Sequence, residues 1–182
     1  MAFLTSNKFN NYQLYGAYHW YWYNTRFTYT RHVGYLKNMV KEKNTLDVGA
    51  GDGLITHVLG IKGIDNNRSA IDLAEIKGVK IDYGDATRLP YKRDQFDSVL
   101  MGDVLEYIGN TGRALSEAHR VLKKFLYVTT PLAASYTEGP FVRYYKPQEL
   151  IAMVEKQKFK LVSSPAHSRS RLHIYYKFAK IA

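Results

Sequence analysis

A short glycine-rich segment, 46–53, has the residue types of a ligand-binding turn. It follows an apolar run that predicts a buried strand and precedes a short helical pattern. Its three glycines alternate with other residues: Gly49, Gly51 and Gly53. Glycines after a strand let the backbone approach a bound molecule closely and direct the amides of the next helix toward it. Asp47 precedes the turn and Asp52 lies within it. A glycine-rich turn between strand and helix that binds no ligand is the alternative interpretation.

Two further acids follow predicted strands. Asp65 ends the second strand, and Asp85 lies in the loop after the third. Parallel sheets bind ligands at the carboxyl ends of their strands. A carboxylate at Asp65 can accept hydrogen bonds from two neighbouring hydroxyls, and one at Asp85 can accept from an exocyclic amine. Taken singly, either residue also suits a helix cap or a turn.

The N-terminal part is rich in aromatic rings, with Tyr18–Tyr23 reading Tyr-His-Trp-Tyr-Trp-Tyr. Such rings can line a small-molecule pocket or hold a cation against their faces. They can also stack nucleobases while Arg26, Arg31 and Lys37 contact phosphates. A third interpretation is an amphipathic helix whose rings are buried against a sheet.

Strand and helix patterns alternate along the rest of the chain. Strands are predicted at 45–48, 61–65, 79–83, 96–101, 125–129, 159–163 and 172–178, and helices at 54–59, 68–77 and 111–122 and from Pro147. The alternation predicts an α/β fold with one Rossmann-like, largely parallel sheet of about seven strands and helices on both faces. No helix separates the last two strands, so we expect a C-terminal antiparallel hairpin. Residues 1–43 are interpreted as a helical aromatic segment rather than a separate domain, and 44–182 as one domain.

Residues 44–165 resemble the class I methyltransferases that use S-adenosylmethionine (SAM), in the group with a DVLEH motif. Five segments carry the resemblance in the family's order: Asp47–Gly53, Gly63–Asp65, Gly84–Ala86 with Leu89–Pro90, Phe96–Tyr107 and Tyr144–Leu150. The glycine spacing G-x-G-x-G differs from the G-x-G-x-x-G of dinucleotide sites. The chain departs from the family at Tyr107, where a His is common.

The resemblance implies that SAM is the cofactor and that the N-terminal segment covers the substrate site. It also implies a set of cofactor-binding residues: Asp47, Gly49, Ala50, Gly51, Gly53, Asp65, Asn66, Asp85, Ala86 and Gly102. Methyl transfer needs a base only when the nucleophile arrives protonated. The candidates for a catalytic role are His19, Asp103 and Tyr107, with His167 as a further histidine. No metal site is predicted, and the absence of cysteine excludes thiolate ligands and a cysteine nucleophile.

The formal net charge of the 182 residues is +10, and it is unevenly distributed. The flanks 1–43 and 131–182 carry +5 and +6, whereas 44–130 is nearly neutral at −1. If the flanks form the substrate side, they favour an anionic substrate, although a basic surface also serves solubility alone. No signal peptide or membrane-spanning run is visible, so we expect a cytoplasmic protein.

Three functions are compatible with these observations. We favour a methyltransferase that acts on an oxygen or nitrogen atom of a small, anionic metabolite or saccharide. The alternatives are a methyltransferase of RNA or another nucleic acid, and a non-catalytic subunit of the same fold that supports a partner. The sequence leaves the oligomeric state open.

Overall fold

The computed structural model describes residues 8–131, 143–164 and 173–181. The helices of these residues are α1 Lys8–Tyr15, α2 Tyr18–Thr25, α3 Phe27–Met39, α4 Leu54–Leu59, α5 Arg68–Ile76, α6 Thr111–Val121 and α7 Pro147–Glu155. The strands are β1 Thr45–Val48, β2 Lys62–Asp65, β3 Ile81–Tyr83, β4 Phe96–Gly102, β5 Leu122–Pro131, β6 Phe159–Ser163 and β7 His173–Lys180. A 3-10 turn spans Leu105–Tyr107. The candidate His167 lies outside the described residues.

The seven strands form one sheet in the order β3-β2-β1-β4-β5-β7-β6. Strands β1 to β5 pair in parallel, and β7 runs antiparallel between β5 and β6. The predicted α/β fold and the C-terminal hairpin are therefore confirmed. Because β1 to β5 are parallel, their carboxyl ends lie at one edge of the sheet. The beginning of the antiparallel β7 lies at the same edge, where His173 pairs with Pro131.

Helices cover both faces of the sheet, as predicted. On one face, Leu36 and Val40 at the end of α3 pack on Leu100 and Tyr127 of the central strands. On the other face, α6 and α7 pack on a larger cluster that includes Val99, Met101, Ala114, Leu115, Leu150 and Val154. All four residues of β1 are buried, because a central parallel strand is covered on both sides.

The observed bounds of the third and fifth strands differ from the predicted ones for reasons of hydrogen bonding. The fifth strand was expected at 125–129 but runs from Leu122 to Pro131, because β4 and β7 pair with it on both sides. The third strand was expected from Val79 but begins at Ile81. The amide of Val79 donates to the carbonyl of Ala74 at 2.9 Å, so this residue still closes the end of α5.

The described part of the N-terminal segment consists of α1, α2 and α3, which pack against the domain. Tyr12 and Tyr18 are buried in a small cluster with Ala70 of α5. The helices of the N-terminal segment therefore cover part of the surface of the rest of the described structure. Across the described residues, no helix combines the length and the apolar character needed to cross a membrane.

Candidate active site

The glycine turn after β1 adopts a backbone that only glycine tolerates easily. Gly49, Gly51 and Gly53 have φ values of 80°, 57° and 78°, in the left-handed region. Gly53 is the residue that precedes α4, so the turn feeds directly into a helix N-terminus. The Cβ that any other residue would place at Gly49 collides with the Val104 side chain. The sequence therefore requires glycine here for both conformation and space.

The carboxylate of Asp65 connects the end of β2 to the glycine turn. One oxygen accepts the amide of Gly51 at 2.8 Å, and the other accepts the amide of Asn67 at 2.8 Å. Each oxygen keeps a second lone pair with which it can accept a ligand hydroxyl. Asp65 thus both holds the turn and presents an acceptor beside it.

A cavity of about 230 Å³ opens at the carboxyl edge of the sheet. Its wall includes six of the residues that the sequence singled out: Gly49, Asp65, Asn66, Asp85, Ala86 and Tyr107. The Asp85 carboxylate accepts both the amide and the hydroxyl of Thr87, at 2.7 and 2.9 Å. Carboxylates from two neighbouring strand ends therefore meet in one cavity, as the sequence predicts.

Other predicted cofactor residues lie around this cavity rather than in its wall. Asp47 is 3% exposed and accepts the Thr56 hydroxyl at 2.7 Å, which connects β1 to α4 beneath the turn. Ala50, Gly51 and Gly53 continue the turn, and Gly102 ends β4. Direct contacts of these residues with a ligand stay predictions.

Asp52 has a role that the sequence did not reveal. It is completely buried, and its carboxylate accepts the backbone amide of His19 at 3.1 Å. The other oxygen lies 3.0 Å from Nδ1 of His19, and the indole of Trp20 donates to the Asp52 carbonyl at 2.8 Å. These bonds attach α2 to the glycine turn. An acid in the turn was visible in the sequence, but its partners lie more than thirty residues away.

Aromatic rings of the N-terminal segment lie over the turn. The Tyr12 ring lines the cavity, and its hydroxyl lies close against Gly51. The His19 ring packs against Tyr18 at 4.1 Å between centroids and stacks on Tyr29 at 5.7 Å. The interpretation of buried rings thus holds for Tyr18, and Tyr12 of α1, which is buried beside it, also borders the cavity.

Asp103 forms an ion pair that connects three distant parts of the chain. It has a φ of 48°, and its Oδ1 accepts the Thr129 hydroxyl at 2.8 Å. Its Oδ2 lies 2.8 Å from Nε2 of His173, which is 6% exposed. The His32 ring of α3 stacks on His173 at 4.0 Å, and Nδ1 of His32 lies 2.8 Å from the Tyr175 hydroxyl. One oxygen of the Asp103 carboxylate and one ring nitrogen of each of His32 and His173 lie within 4.8 Å of one another.

Burial and charge shift the pKa values in this cluster in different directions. Burial raises the pKa of Asp103, but the neighbouring His173 outweighs it, so the net pKa is well below the usual range. Burial lowers the pKa of His173, but the Asp103 carboxylate outweighs it and leaves the pKa above its ordinary value. Burial and then the nearby His173 lower the pKa of His32 to about 3, so that imidazole is neutral. His173 was missed because it lies within a strand pattern with no motif around it.

Tyr107, a predicted catalytic candidate, lines the cavity as a neutral phenol. Burial, and then the Glu106 and Asp103 carboxylates, raise its pKa to about 12. A phenol with this pKa is suited to donating a hydrogen bond rather than to removing a proton near neutral pH.

Residues 46–126 match a family model described as a methyltransferase domain. An uncharacterized protein of Methanocaldococcus jannaschii is 32% identical over 97 residues, which cover 53% of this chain and 47% of the relative. The chloroplastic 2-methyl-6-phytyl-1,4-hydroquinone methyltransferase 1 of Oryza sativa subsp. japonica is 38% identical over 91 residues, covering 43% of this chain and 27% of the relative. The chain spans about half or less of the length of these curated relatives.

A solved structure from Thermotoga maritima, described as a SAM-dependent methyltransferase and possible histamine N-methyltransferase, has the same fold. It aligns with a TM-score of 0.77 at 22% identity and covers 96% of this chain and 100% of that chain. Residues 46–126 therefore resemble a methyltransferase domain, and the chain shares the fold of that solved structure.

Proposed function

We propose that this chain, built on a methyltransferase domain, transfers the methyl group of SAM to an oxygen or nitrogen atom of a small, anionic metabolite or saccharide. The observation that carries the proposal is the cavity in which the glycine turn meets Asp65 and Asp85. These groups fit SAM. Asp65 can accept the ribose hydroxyls, Asp85 can accept the adenine amine, and the turn admits the methionine end. SAM supplies a methyl group that its sulfonium already activates.

The protein residues bind and orient the reactants and exclude water. Holding a nucleophile in line with an electrophile supplies much of the acceleration of such a reaction. The hydrogen bonds from α2 to Asp52 keep aromatic rings over the turn and shield this side of the cavity from solvent. We assign the N-terminal segment the role of a substrate lid on this basis.

A small acceptor is supported by the size of the site and by the relatives. The cavity is bordered by rings such as Tyr12 and by the 3-10 turn, which leave a confined space. The names of the rice and Thermotoga proteins refer to a hydroquinone and to histamine, both small molecules. The proposal that the acceptor is anionic rests on the basic flanks, which carry nearly all of the net positive charge of the chain.

Calorimetric titration with SAM tests the cofactor site. We expect Asp65→Ala to weaken SAM binding by about 1–3 kcal/mol, because buried hydroxyls lose their acceptor. Asp65→Asn keeps one acceptor oxygen and should weaken binding less. Asp72→Ala, which removes an exposed acid of the following helix α5, serves as the matched control. Equal SAM affinity in Asp65→Ala and Asp72→Ala would contradict the ribose assignment.

A labelling screen with tritiated-methyl SAM tests the acceptor. We expect label to enter a metabolite and glycan extract rather than bulk RNA. RNA labelling that falls steeply with salt would favour the nucleic-acid alternative instead. SAM binding without transfer to either material would favour a supporting subunit.

A further inference from the structure

The Asp103–His173 pair has the arrangement of a base that is oriented by a carboxylate. Nε2 of His173 donates to Oδ2 of Asp103, since the two atoms lie 2.8 Å apart and the carboxylate can only accept. Thr129 occupies the other carboxylate oxygen and holds Asp103 from β5. When one imidazole nitrogen carries the proton toward a carboxylate, the other presents a lone pair.

That other nitrogen, Nδ1 of His173, is buried and has no hydrogen-bond partner among the described residues. A buried acceptor without a donor is costly and therefore uncommon. The donor that would relieve this cost is a group outside the described protein atoms. A hydroxyl of an acceptor molecule supplies such a donor.

The pair lies beside the cofactor cavity rather than in a remote part of the fold. Asp103 is followed directly by Val104, which lines the cavity and packs against Gly49 of the glycine turn. A row of rings links the same pair to the lid. His173 stacks on His32 at 4.0 Å, and Tyr29 lies 5.7 Å from both His32 and His19. Ring contacts of α2 and α3 thus run from His19, which is bonded to Asp52 of the glycine turn, to His173 of the pair.

We propose that His173, oriented by Asp103, is the general base of this site and that the acceptor is a hydroxyl compound that arrives protonated. The inference rests on the methyltransferase activity proposed above and adds the catalytic base and the acceptor class. A neutral hydroxyl enters a buried cluster of rings at lower desolvation cost than an ammonium group does. Phenolic and enolic hydroxyls fit best, because an imidazole can remove their protons near neutral pH.

The proposed step balances in atoms and charge. Nδ1 of His173 takes the hydroxyl proton while the oxygen forms a bond to the methyl carbon. The carbon–sulfur bond breaks, and its electron pair stays on the sulfur of the departing thioether. The products are the methyl ether, a neutral thioether and an imidazolium that the Asp103 carboxylate stabilises. Return of that proton to solvent restores the base.

The charges around His173 are consistent with this role. Among the described residues, the titratable groups that face it are Asp103 after β4, His32 on α3 and Tyr175 on β7. His32 is neutral because its pKa is about 3. Asp103 is therefore the charged group in this set, and it raises the pKa of His173 against the opposing effect of burial. Activity should rise with pH through this raised pKa, since only the neutral imidazole is a base.

The test compares His173→Gln, Asp103→Asn and the control His119→Gln, which removes an imidazole of α6 that bonds the Ile181 carbonyl. Transfer of tritiated methyl groups from SAM to a metabolite extract should fall about 10²–10⁴-fold in His173→Gln. SAM affinity measured by calorimetry should stay unchanged. In Asp103→Asn the remaining activity should follow a pH profile displaced to lower pH, because the imidazole loses its carboxylate.

A second measurement needs no turnover. Nitrogen-15 spectra of the histidine side chains in the SAM-free protein should show His173 with its neutral-form proton on Nε2, and Asp103→Asn should lower its pKa. Wild-type transfer rates and an unchanged pH profile in His173→Gln would overturn the inference while leaving the methyltransferase proposal intact. Methyl transfer that EDTA abolishes and Mn²⁺ restores would also overturn the inference, because the reaction would then depend on a metal ion. Failure of the wild-type protein to bind SAM would instead refute the proposed function.

Discussion

At Gly51, two independent constraints act on a single residue of the glycine turn. Its φ of 57° lies in the left-handed region, and the Tyr12 hydroxyl occupies the position that a Cβ would take. The same residue donates its amide to Asp65, the acceptor assigned to the ribose. The left-handed backbone, the contact with Tyr12 and the hydrogen bond to Asp65 therefore all restrict the residue type at position 51.

We expect Gly51→Ala to weaken SAM binding at least tenfold and to destabilise the fold by about 1–2 kcal/mol, since left-handed backbone is strained for alanine. Gly34→Ala is the matched control. Gly34 lies within α3 and has open space where its Cβ would be, so alanine there should be neutral or stabilising. Calorimetric titration and urea unfolding measure the two effects. SAM affinity in Gly51→Ala equal to that in Gly34→Ala would refute the assigned role of the turn.

At the scale of elements, α2 is held on the glycine turn mainly by Asp52. This carboxylate is completely buried and bonds the first turn of the helix, where backbone amides lack partners within the helix. Helix α2 has no side-chain cap of its own. The acid of the turn thus acts as a cap for a helix that precedes it in the chain by about thirty residues.

Removal of this cap should release the lid. In Asp52→Ala we expect faster amide hydrogen exchange throughout Tyr18–Thr25, because His19 loses its acceptor and a buried polar group is left unpaired. Asp52→Asn keeps an acceptor oxygen for the His19 amide and should protect α2 more than alanine does. Exchange followed by mass spectrometry measures both variants. Identical protection of α2 in Asp52→Ala and the wild-type protein would contradict a capping role.

At the scale of the whole molecule, the half of the sheet formed by β1 to β3 and the half that contains β4, β5 and β7 have different tasks. Strands β1 to β3 supply the glycine turn and the two acids at the cavity. Strands β4, β5 and β7 supply Asp103, Thr129 and His173. The N-terminal helices contact both halves of the sheet. We therefore expect a ligand that binds at one half to affect the N-terminal segment as well.

SAM should therefore stabilise the whole fold. A ligand at about 100 times its dissociation constant contributes about 2.7 kcal/mol to the free energy of unfolding. We expect a clear rise of the melting temperature with SAM and none with NAD⁺ at the same concentration. The acids beside the turn repel a pyrophosphate, and the G-x-G-x-G spacing differs from that of dinucleotide sites. Stabilisation by NAD⁺ equal to that by SAM would contradict the assigned cofactor.

The sequence alone determined the features that depend on neighbours along the chain. Left-handed turns require glycine, and alternating strand and helix patterns require a layered sheet, so the α/β fold and the C-terminal hairpin were predicted correctly. Asp65 and Asp85 line one cavity, and their contacts with a cofactor stay predictions. Strand ends were predicted less well, because pairing with β4 and β7 rather than local pattern sets the length of β5.

Only the tertiary structure decided which distant side chains meet. Asp52 with His19, Tyr12 with Gly51, and Asp103 with His173 join segments that no local spacing connects. These contacts follow from the position of β7 beside β5 and from the packing of the N-terminal helices. Both depend on burial summed over the whole chain, which no short pattern encodes. The residues proposed to position the cofactor were therefore readable in the sequence, whereas the proposed base and the proposed anchor of the lid were not.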